Sequence, residues 1–330
     1  YPHILIIAKS FKIKDKEVVL FNSTADLYKW YKSLVDSMKD DTTVLKDKVN
    51  ELTSNAKTDE EKIKNIYYWV QDNIRYIAFE DGIAGFKPDE SNHVFQNRYG
   101  DCKGMANLIK QMLKLAGFDA RLTWIGTKHI AYDYKTPSLA VDNHMIAVYK
   151  KGENYIFLDA TDKETLYGIP TAFIQGKEAL YGEGENYKII KVPVVSAETN
   201  EVKEQVKFAI EKDKLIGSGK VQFNGYSRSN IVMRMGDATN KTRFEMIKSL
   251  VLKGNNKFNL KDFTEENLSN RDKPYQINYN FDLGNYIVKA DKEIYINLFL
   301  EKPFEKIIIE KDRVSPFEFE YLTLVNSQYE

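Results

Sequence analysis

Apolar and polar positions alternate at helical spacing through much of the first quarter of the chain. Between residues 24 and 76, three stretches place apolar side chains three and four positions apart, which predicts three amphipathic helices. Ser23 or Thr24 can cap the first helix, and Thr58 followed by Glu61 has the form of a capping box at the third. We expect a helical layer here.

A further helix is predicted from Asp101, because apolar residues recur at helical spacing up to residue 116. Gly117 then stands where a C-terminal glycine cap belongs. Period-two alternation predicts strands at 120–124, 144–149 and 154–159, the last two joined by residues 150–153. Residues 160–185 are expected to be irregular.

After Pro193 the pattern becomes mostly alternating, which is typical of an antiparallel sheet. Strands are predicted at 202–210, 214–223, 276–283, 286–299 and 317–325, and helical pieces near 228–235 and 239–252. Gly217-Ser218-Gly219-Lys220 lacks the other residues of a phosphate-binding loop, so it is interpreted as strand with a close backbone approach.

These patterns divide the chain into three parts. Residues 1–22, with a strand expected at 3–8, are interpreted as the remnant of an upstream β-domain or a linker strand. Residues 23–193 form the α+β core, and residues 194–330 form a β-rich domain with two helices. Because the chain opens at Tyr1 without a methionine or a signal-like segment, we expect it to be processed or cut from a longer chain.

The composition narrows the function classes. The 48 basic and 48 acidic residues give a formal net charge of zero, so no global field favours nucleic acid or an acidic membrane surface. No apolar run approaches the roughly 18 residues of a membrane span. A single cysteine excludes an internal disulfide, and the four histidines show no metal-ligand spacing, so no metal or other cofactor is expected.

The one cysteine, Cys102, lies at the predicted start of the helix that follows Asp101. Unpaired N–H groups and the helix dipole favour a negative charge at this position, so the thiol is a candidate nucleophile. Lys103 adds a nearby cation, whereas Asp101 opposes ionisation if its carboxylate faces the sulfur.

A thiolate nucleophile needs a base, and the base needs an acceptor that orients it. His144 and Asp159 are the candidates, with His93 and His129 as weaker rivals for the base. A turn centred between Lys151 and Gly152 would pair residues whose numbers sum to 303. His144 and Asp159 would then be directly opposite, on one face, with Cβ atoms about 4.5–5.5 Å apart. Taken singly, each of these three residues also fits an inert structural role.

Four segments together resemble the transglutaminase-like superfamily, most closely its bacterial branch, in which this core lies between β-domains. They are Gly100-Asp101-Cys102-Lys103, Ala116-Gly117-Phe118, Asn143-His144 and Leu158-Asp159-Ala160-Thr161. The resemblance covers about residues 60–170. It implies a papain-like core of helices packed on an antiparallel sheet, with Cys102 as nucleophile, His144 as general base and acid, and Asp159 as orienting residue. It also implies residence in a bacterial periplasm or cell envelope, and no calcium site is carried over.

An oxyanion would need fixed donors, and the backbone N–H of Cys102 at the helix start is one. Gln96 and Tyr76 are candidates for the second donor. Tyr76, Phe79, Phe86, Phe95 and Tyr99 either line a substrate groove or pack the helical layer against the core.

Two hypotheses follow. The first is a thiol enzyme that acts on amide bonds of a peptide or protein, a cell-wall peptide among them, through a thioester on Cys102, with hydrolysis favoured over crosslinking. The second is a catalytically idle binding or scaffold module that works through its β-rich domain.

Overall fold

The structure, a computed structural model, describes residues 4–78, 81–305, 307–310, 312–314 and 316–330. The chain forms two compact units, Tyr1–Val194 and Val195–Glu330. Both units mix helices with antiparallel strands, so the predicted α+β class is confirmed. Within the described residues, no helix combines the length and the apolar character needed to cross a bilayer.

The first unit contains a helical layer and a sheet. Its helices are α1 (Thr24–Asp36), α2 (Lys46–Thr53), α3 (Asp59–Asn73), α4 (Ser91–Asn97) and α5 (Cys102–Leu115), with 3-10 turns at Thr43–Leu45, Gly82–Gly85 and Ala172–Ile174. Its strands are β1 (Ser10–Ile13), β2 (Lys16–Val19), β3 (Arg75–Tyr76), β4 (Tyr99–Gly100), β5 (Ala120–Ile125), β6 (His144–Lys151), β7 (Asn154–Leu158), β8 (Glu178–Glu183) and β9 (Asn186–Lys191).

The helix caps of this layer form at the predicted residues, with one difference in their hydrogen bonds. Ser23 forms a complete capping box with Asp26 at the start of α1. At α3, the Thr58 hydroxyl accepts a hydrogen bond from the Glu61 N–H at 3.1 Å. The Glu61 carboxylate accepts from the N–H of Lys57 instead of Thr58, so only half of the predicted box forms.

The main sheet of the first unit has the strand order β7-β6-β5-β8-β9, and all neighbours are antiparallel. Helix α5 packs against β5 and β6. Its apolar face, including Met105, Leu108 and Met112, lies in one core with Ala147 and Leu158 of the sheet. This packing places Cys102, the first residue of α5, near the first residue of β6.

Two predictions for this unit were wrong. Residues 160–185 contain the whole of β8, which the pattern missed because Ala179, Leu180 and Tyr181 are buried in succession. A strand covered on both faces shows no alternation. In the predicted strand 3–8, residues 4–8 form no strand: Ile4 and Ile6 are 89% and 90% exposed and have no sheet to cover them. His3 lies outside the described residues.

The hairpin of β6 and β7 is shifted from its predicted register. Lys151 pairs with Asn154, so paired residue numbers sum to 305 and not to 303. The loop is Gly152 and Glu153, and Gly152 takes a φ of +62° that glycine adopts readily. Because the shift is two residues, His144 and Asp159 still share a face, as diagonal rather than directly opposite neighbours.

The second unit is built on another sheet. Its strands are β10 (Val202–Glu211), β11 (Lys214–Phe223), β12 (Phe258–Glu266), β13 (Tyr275–Gly284), β14 (Ile287–Ala290), β15 (Glu293–Ile296) and β16 (Val325–Tyr329), and its helices are α6 (Gly225–Met235) and α7 (Asn240–Leu250), with a 3-10 turn at Glu198–Asn200. The sheet order is β12-β13-β11-β10-β16. Among the strand pairs that the structure describes in this sheet, only β10–β16 is parallel.

Three details of this unit correct the sequence prediction. Strand β12 was missed, since a bulge between Leu260 and Asp262 interrupts its alternation. The single strand expected at 286–299 is the hairpin β14–β15, which turns at Asp291 with φ +53°. A strand was expected at 317–325, but residues 317–324 form no strand and β16 begins only at Val325.

The glycine-rich segment of β11 is a strand with a close backbone approach, as predicted. A Cβ on Gly219 would lie 2.1 Å from the ring of Tyr279. The Tyr279 hydroxyl donates to Glu204 at 2.8 Å. Glu204 in turn pairs with the buried ammonium of Lys253 at 2.9 Å, which also contacts Glu301 at 3.0 Å. Gly219 therefore makes room for the Tyr279 ring, whose hydroxyl reaches a buried ionic group.

Candidate active site

Cys102 is the first residue of α5 and is 8% exposed. Asp101 is the N-cap, and its Oδ1 accepts the Gly104 N–H at 2.8 Å. The same carboxylate pairs with the ammonium of Lys103. Lys103 and Asp101 therefore largely cancel each other's charge, and the group that acts on the thiol must come from elsewhere.

His144, the first residue of β6, supplies that group. Its Nε2 lies 2.8 Å from Oδ2 of Asp159, and its ring lies beside the Cys102 thiol in the same cavity. Because Nε2 is engaged by the carboxylate, Nδ1 is the nitrogen left for the sulfur. The three residues predicted to act together thus lie side by side, with His144 between the sulfur and the carboxylate.

Asp159 is held in place from several sides. Its Oδ2 also accepts the Thr171 hydroxyl at 2.8 Å, and its Oδ1 accepts the hydroxyl of Thr161 at 2.7 Å and the N–H of Thr161 at 3.2 Å. The Tyr67 hydroxyl, from α3, donates to the backbone carbonyl of Asp159 at 3.0 Å. The carboxylate therefore cannot turn away from the imidazole without breaking several hydrogen bonds.

The charges and hydrogen bonds around His144 favour a protonated imidazole. Burial lowers the pKa of His144, but the charge and hydrogen bond of Asp159, with those of Cys102, outweigh it and raise the pKa to about 10. Burial raises the pKa of Asp159, but His144 and the threonine hydroxyls outweigh it and hold that pKa below its ordinary value.

A cavity of about 280 Å³ gives access to the thiol. Cys102 and His144 line it, together with the aromatic residues Tyr31, Phe86 and Trp124. A substrate group that enters this cavity reaches the sulfur and the imidazole at once.

The other predicted site residues lie elsewhere. Gln96 is exposed on α4, and Tyr76 and Tyr99 are 42% and 39% exposed on β3 and β4. None of these three is among the described residues that line the Cys102 cavity, and Tyr99 lines a neighbouring cleft. The structure therefore gives no support to their predicted roles at the oxyanion.

Among the remaining aromatic and histidine candidates that the structure describes, some line the Cys102 cavity and others do not. Phe86 lines the cavity, whereas Phe95 packs on the Trp69 ring at 5.5 Å. Phe79 lies outside the described residues. His93 and His129, the rival bases, are exposed and do not line the Cys102 cavity.

Sequence reasoning missed one acidic residue of the cavity, Asp142. Its Oδ1 accepts the Tyr31 hydroxyl at 2.7 Å, and its Oδ2 accepts the Tyr134 hydroxyl at 3.0 Å. Burial raises its pKa to about 7, although both hydroxyls act to lower it. Only its position two residues before His144 could have singled it out, because Tyr31 lies 111 positions away in the chain.

Among the described residues, no group of three or more His, Cys, Asp or Glu side chains is arranged to hold a metal ion.

Comparisons with known proteins agree with the sequence resemblance. Residues 46–160 match the model of the Transglutaminase-like superfamily, and a search of curated proteins found no match. Two solved structures were found as similar to parts of this chain. One, a proposed cysteine protease from Cytophaga hutchinsonii, is 18% identical, with a TM-score of 0.29, over 36% of this chain and 37% of that one. The other, a proposed protease from Parabacteroides distasonis, is 12% identical, with a TM-score of 0.45, over 86% of this chain and 58% of that one.

Proposed function

Residues 46–160 form a transglutaminase-like domain, and on that premise we propose that this protein is a thiol enzyme that acts on amide bonds of peptides or proteins. The observation that supports the proposal most directly is the placement of His144 between Cys102 and Asp159 beside an open cavity. A scaffold has no need of this arrangement.

The proposed reaction has two halves. The Cys102 thiolate attacks the amide carbonyl carbon, and the backbone N–H of Cys102, at the helix start, donates to the developing oxyanion. The carbon–nitrogen bond then breaks, His144 gives its proton to the departing amine, and a thioester remains on the sulfur. In the second half, His144 takes a proton from water and the hydroxide attacks the thioester. The carbon–sulfur bond breaks, the carboxylic acid leaves, and the Cys102 thiolate and the protonated His144 are restored.

Asp159 acts on this reaction through His144. Its carboxylate fixes the ring so that Nδ1 meets the sulfur, and its charge stabilises the imidazolium that exists while the sulfur is ionised. We therefore assign Asp159 the role of a positioning residue.

Hydrolysis is the outcome we propose in preference to crosslinking. Water is always present to attack a thioester, and no site for an acceptor amine has been identified in the described residues. An amine entering the same cavity would instead give transamidation, with the same thioester as intermediate.

The test is a library of peptide amides, cell-wall peptides included, incubated with the wild-type chain in ¹⁸O-labelled water and a fluorescent alkylamine. Hydrolysis places ¹⁸O in the product acid, and transamidation adds the amine, so mass spectrometry separates the two. Because Cys102 is the only cysteine, Cys102→Ala gives a thiol-free control of otherwise identical sequence.

We expect turnover by the wild-type chain, none by Cys102→Ala, and at least a hundredfold loss in His144→Ala. The proposal fails if the cysteine-free variant turns over the same peptides. It also fails if Cys102 reacts with iodoacetamide slowly, with the pH profile of an ordinary thiol, whether or not His144 is present. That second result would favour the scaffold hypothesis.

A further inference from the structure

The carboxylate of Asp142 lines the cavity that contains Cys102, and none of the cationic side chains that the structure describes pairs with it. Its hydrogen bonds in the described structure come from two neutral phenols, those of Tyr31 and Tyr134. No described Lys, Arg or His forms an ion pair with it, and no cation is among the causes of its pKa shift. A carboxylate in this position is stabilised if a cation enters the cavity.

The walls near Asp142 are aromatic. Tyr31, Phe86 and Trp124 line the same cavity, and the rings of Tyr31 and Trp124 stack with centroids 5.0 Å apart and an angle of 11°. Aromatic rings attract organic cations through their quadrupoles. Together with one carboxylate, they form the combination of groups that binds an alkylammonium ion.

The other charges around the cavity are already balanced. Lys103 is paired with Asp101, and His144 with Asp159 and the Cys102 sulfur. On the far side of Tyr134, its backbone N–H donates to the Glu178 carboxylate at 3.3 Å, and the neighbouring Lys177 ammonium donates to the Ile130 carbonyl at 2.5 Å. Asp142 is the negative group left for a ligand.

We propose that Asp142 and the aromatic wall form a subsite for a primary ammonium group of the amide substrate. The inference rests on the proposed function, because it names the class of substrate that the thiol would cleave. The ammonium belongs either to a free N-terminus or to a lysine-type side chain. It is not an attacking amine, because a nucleophilic amine is unprotonated, whereas a carboxylate binds the protonated form.

The subsite has a distinct pH dependence. Since the pKa of Asp142 is about 7, the ionised fraction at pH 8 is about ten times that at pH 6. An alkylammonium ion stays charged over this range, and the Tyr31 and Tyr134 hydroxyls stay protonated because their pKa values are raised. Affinity for an ammonium ligand should therefore fall about tenfold from pH 8 to pH 6.

The binding experiment uses n-butylammonium and the neutral n-butanol, titrated by calorimetry or ligand-observed NMR into the full chain carrying Cys102→Ala. We expect the ammonium to bind at least about tenfold more tightly than the alcohol at pH 8, since a charged hydrogen bond contributes that much. Asp142→Asn should remove this preference. Asp119→Asn, the same change at an exposed carboxylate, should leave it intact.

Tyr31→Phe separates a binding role from a packing role. This variant keeps the carboxylate and the ring but removes a hydrogen bond that lowers the pKa of Asp142. The midpoint of the pH profile should move upward, and affinity should recover at pH 9. Equal binding of the two probes, an ammonium affinity indifferent to Asp142→Asn, or a flat pH profile would each overturn the subsite.

Turnover then identifies the source of the ammonium. Among peptide amides cleaved by the wild-type chain, N-acetylation tests the terminal amine, and replacement of lysine by norleucine tests the side chain. We expect one change to lower kcat/KM at least about tenfold, and the loss to be absent in Asp142→Asn. Binding of butylammonium without any turnover would refute the thiol enzyme and leave the subsite standing, whereas turnover indifferent to both changes would refute the subsite alone.

Discussion

The charge of Asp159 should decide whether His144 carries a proton at neutral pH. The pKa of His144 is about 10 against an ordinary value of 6.5. At about 1.36 kcal/mol per pH unit, this difference favours the imidazolium by about 5 kcal/mol. Asp159→Asn keeps the size of the side chain and removes the charge, so burial, which lowers the pKa, should then dominate.

The measurement is an NMR titration of the histidine rings in protein carrying ¹³C-labelled histidine. The chain has four histidines, and the signal missing from His144→Gln identifies the one of interest. In the wild-type chain this ring should not titrate between pH 5.5 and 8.5. In Asp159→Asn its midpoint should fall into the neutral range or below, and alkylation of Cys102 at pH 6.5 should slow at least about tenfold.

The chain offers a matched control. His93 Nδ1 lies 3.2 Å from Asp89 Oδ1 in an exposed pair, so Asp89→Asn makes the same chemical change where water screens it. It should leave the His144 signal and the alkylation rate unchanged. If Asp159→Asn also leaves the His144 midpoint above pH 8.5, the carboxylate is not what holds the proton, and the reasoning is refuted.

The same pKa shift links stability to pH. Because the folded-state pKa of His144 is above the ordinary value, its contribution to stability is fully present below pH 6.5. It is lost as the pH rises from 6.5 toward about 10. Urea denaturation of the wild-type chain and Asp159→Asn should therefore differ most in the acidic half of that window and converge toward pH 10.

Three further changes test other parts of the structure. Thr171→Val removes one hydrogen bond to the orienting carboxylate and should lower kcat about three- to tenfold, roughly 1 kcal/mol, with KM unchanged in steady-state assays. Gly219→Ala should destabilise the second unit by about 1–3 kcal/mol in urea denaturation, whereas Gly284→Ala, whose Cβ meets only an ordinary contact at 3.6 Å, should have little effect. Lys253→Met leaves Glu204 buried without its cation and should lower the free energy of unfolding by about 3–5 kcal/mol at pH 7, less at pH 4.

The local rules of the sequence predicted the helical layer well. Ser23 and Thr58 cap helices where expected, and α5 begins at Cys102 after its Asp101 cap. These features depend on neighbours a few positions apart, which the sequence displays directly. The α5 pattern also showed its apolar face, because a helix packed on one side must repeat with its own period.

Features that depend on distant neighbours were harder to predict. Strand β8 has no alternation because it is covered on both faces, and the exposed isoleucines at 4 and 6 alternate without a sheet to join. The predicted register of the β6–β7 hairpin was wrong by two residues, because Gly152 is the first residue of the two-residue loop and not the second. The parity survived the error, so the relation between His144 and Asp159 could be predicted from the sequence.

The wall of the cavity shows the limit of sequence reasoning most clearly. Asp142 is defined by its phenol partners, Tyr31 and Tyr134, which come from separate elements. No spacing rule connects a carboxylate with a hydroxyl 111 residues away. By contrast, Cys102 and His144 belong to residue types whose chemistry is rare enough to draw attention before any fold is known.

The hydrogen bonds from α3 to the loop after β7 have a consequence for heat inactivation. Besides Tyr67 on the Asp159 carbonyl, Gln71 donates to the carbonyls of Asp162 at 2.7 Å and Thr165 at 2.9 Å. The acid that orients the imidazole is thereby tied to α3, whose Ile66 and Val70 are fully buried. Loss of turnover on warming should coincide with cooperative melting of the whole unit rather than precede it, because the loop has no separate way to open.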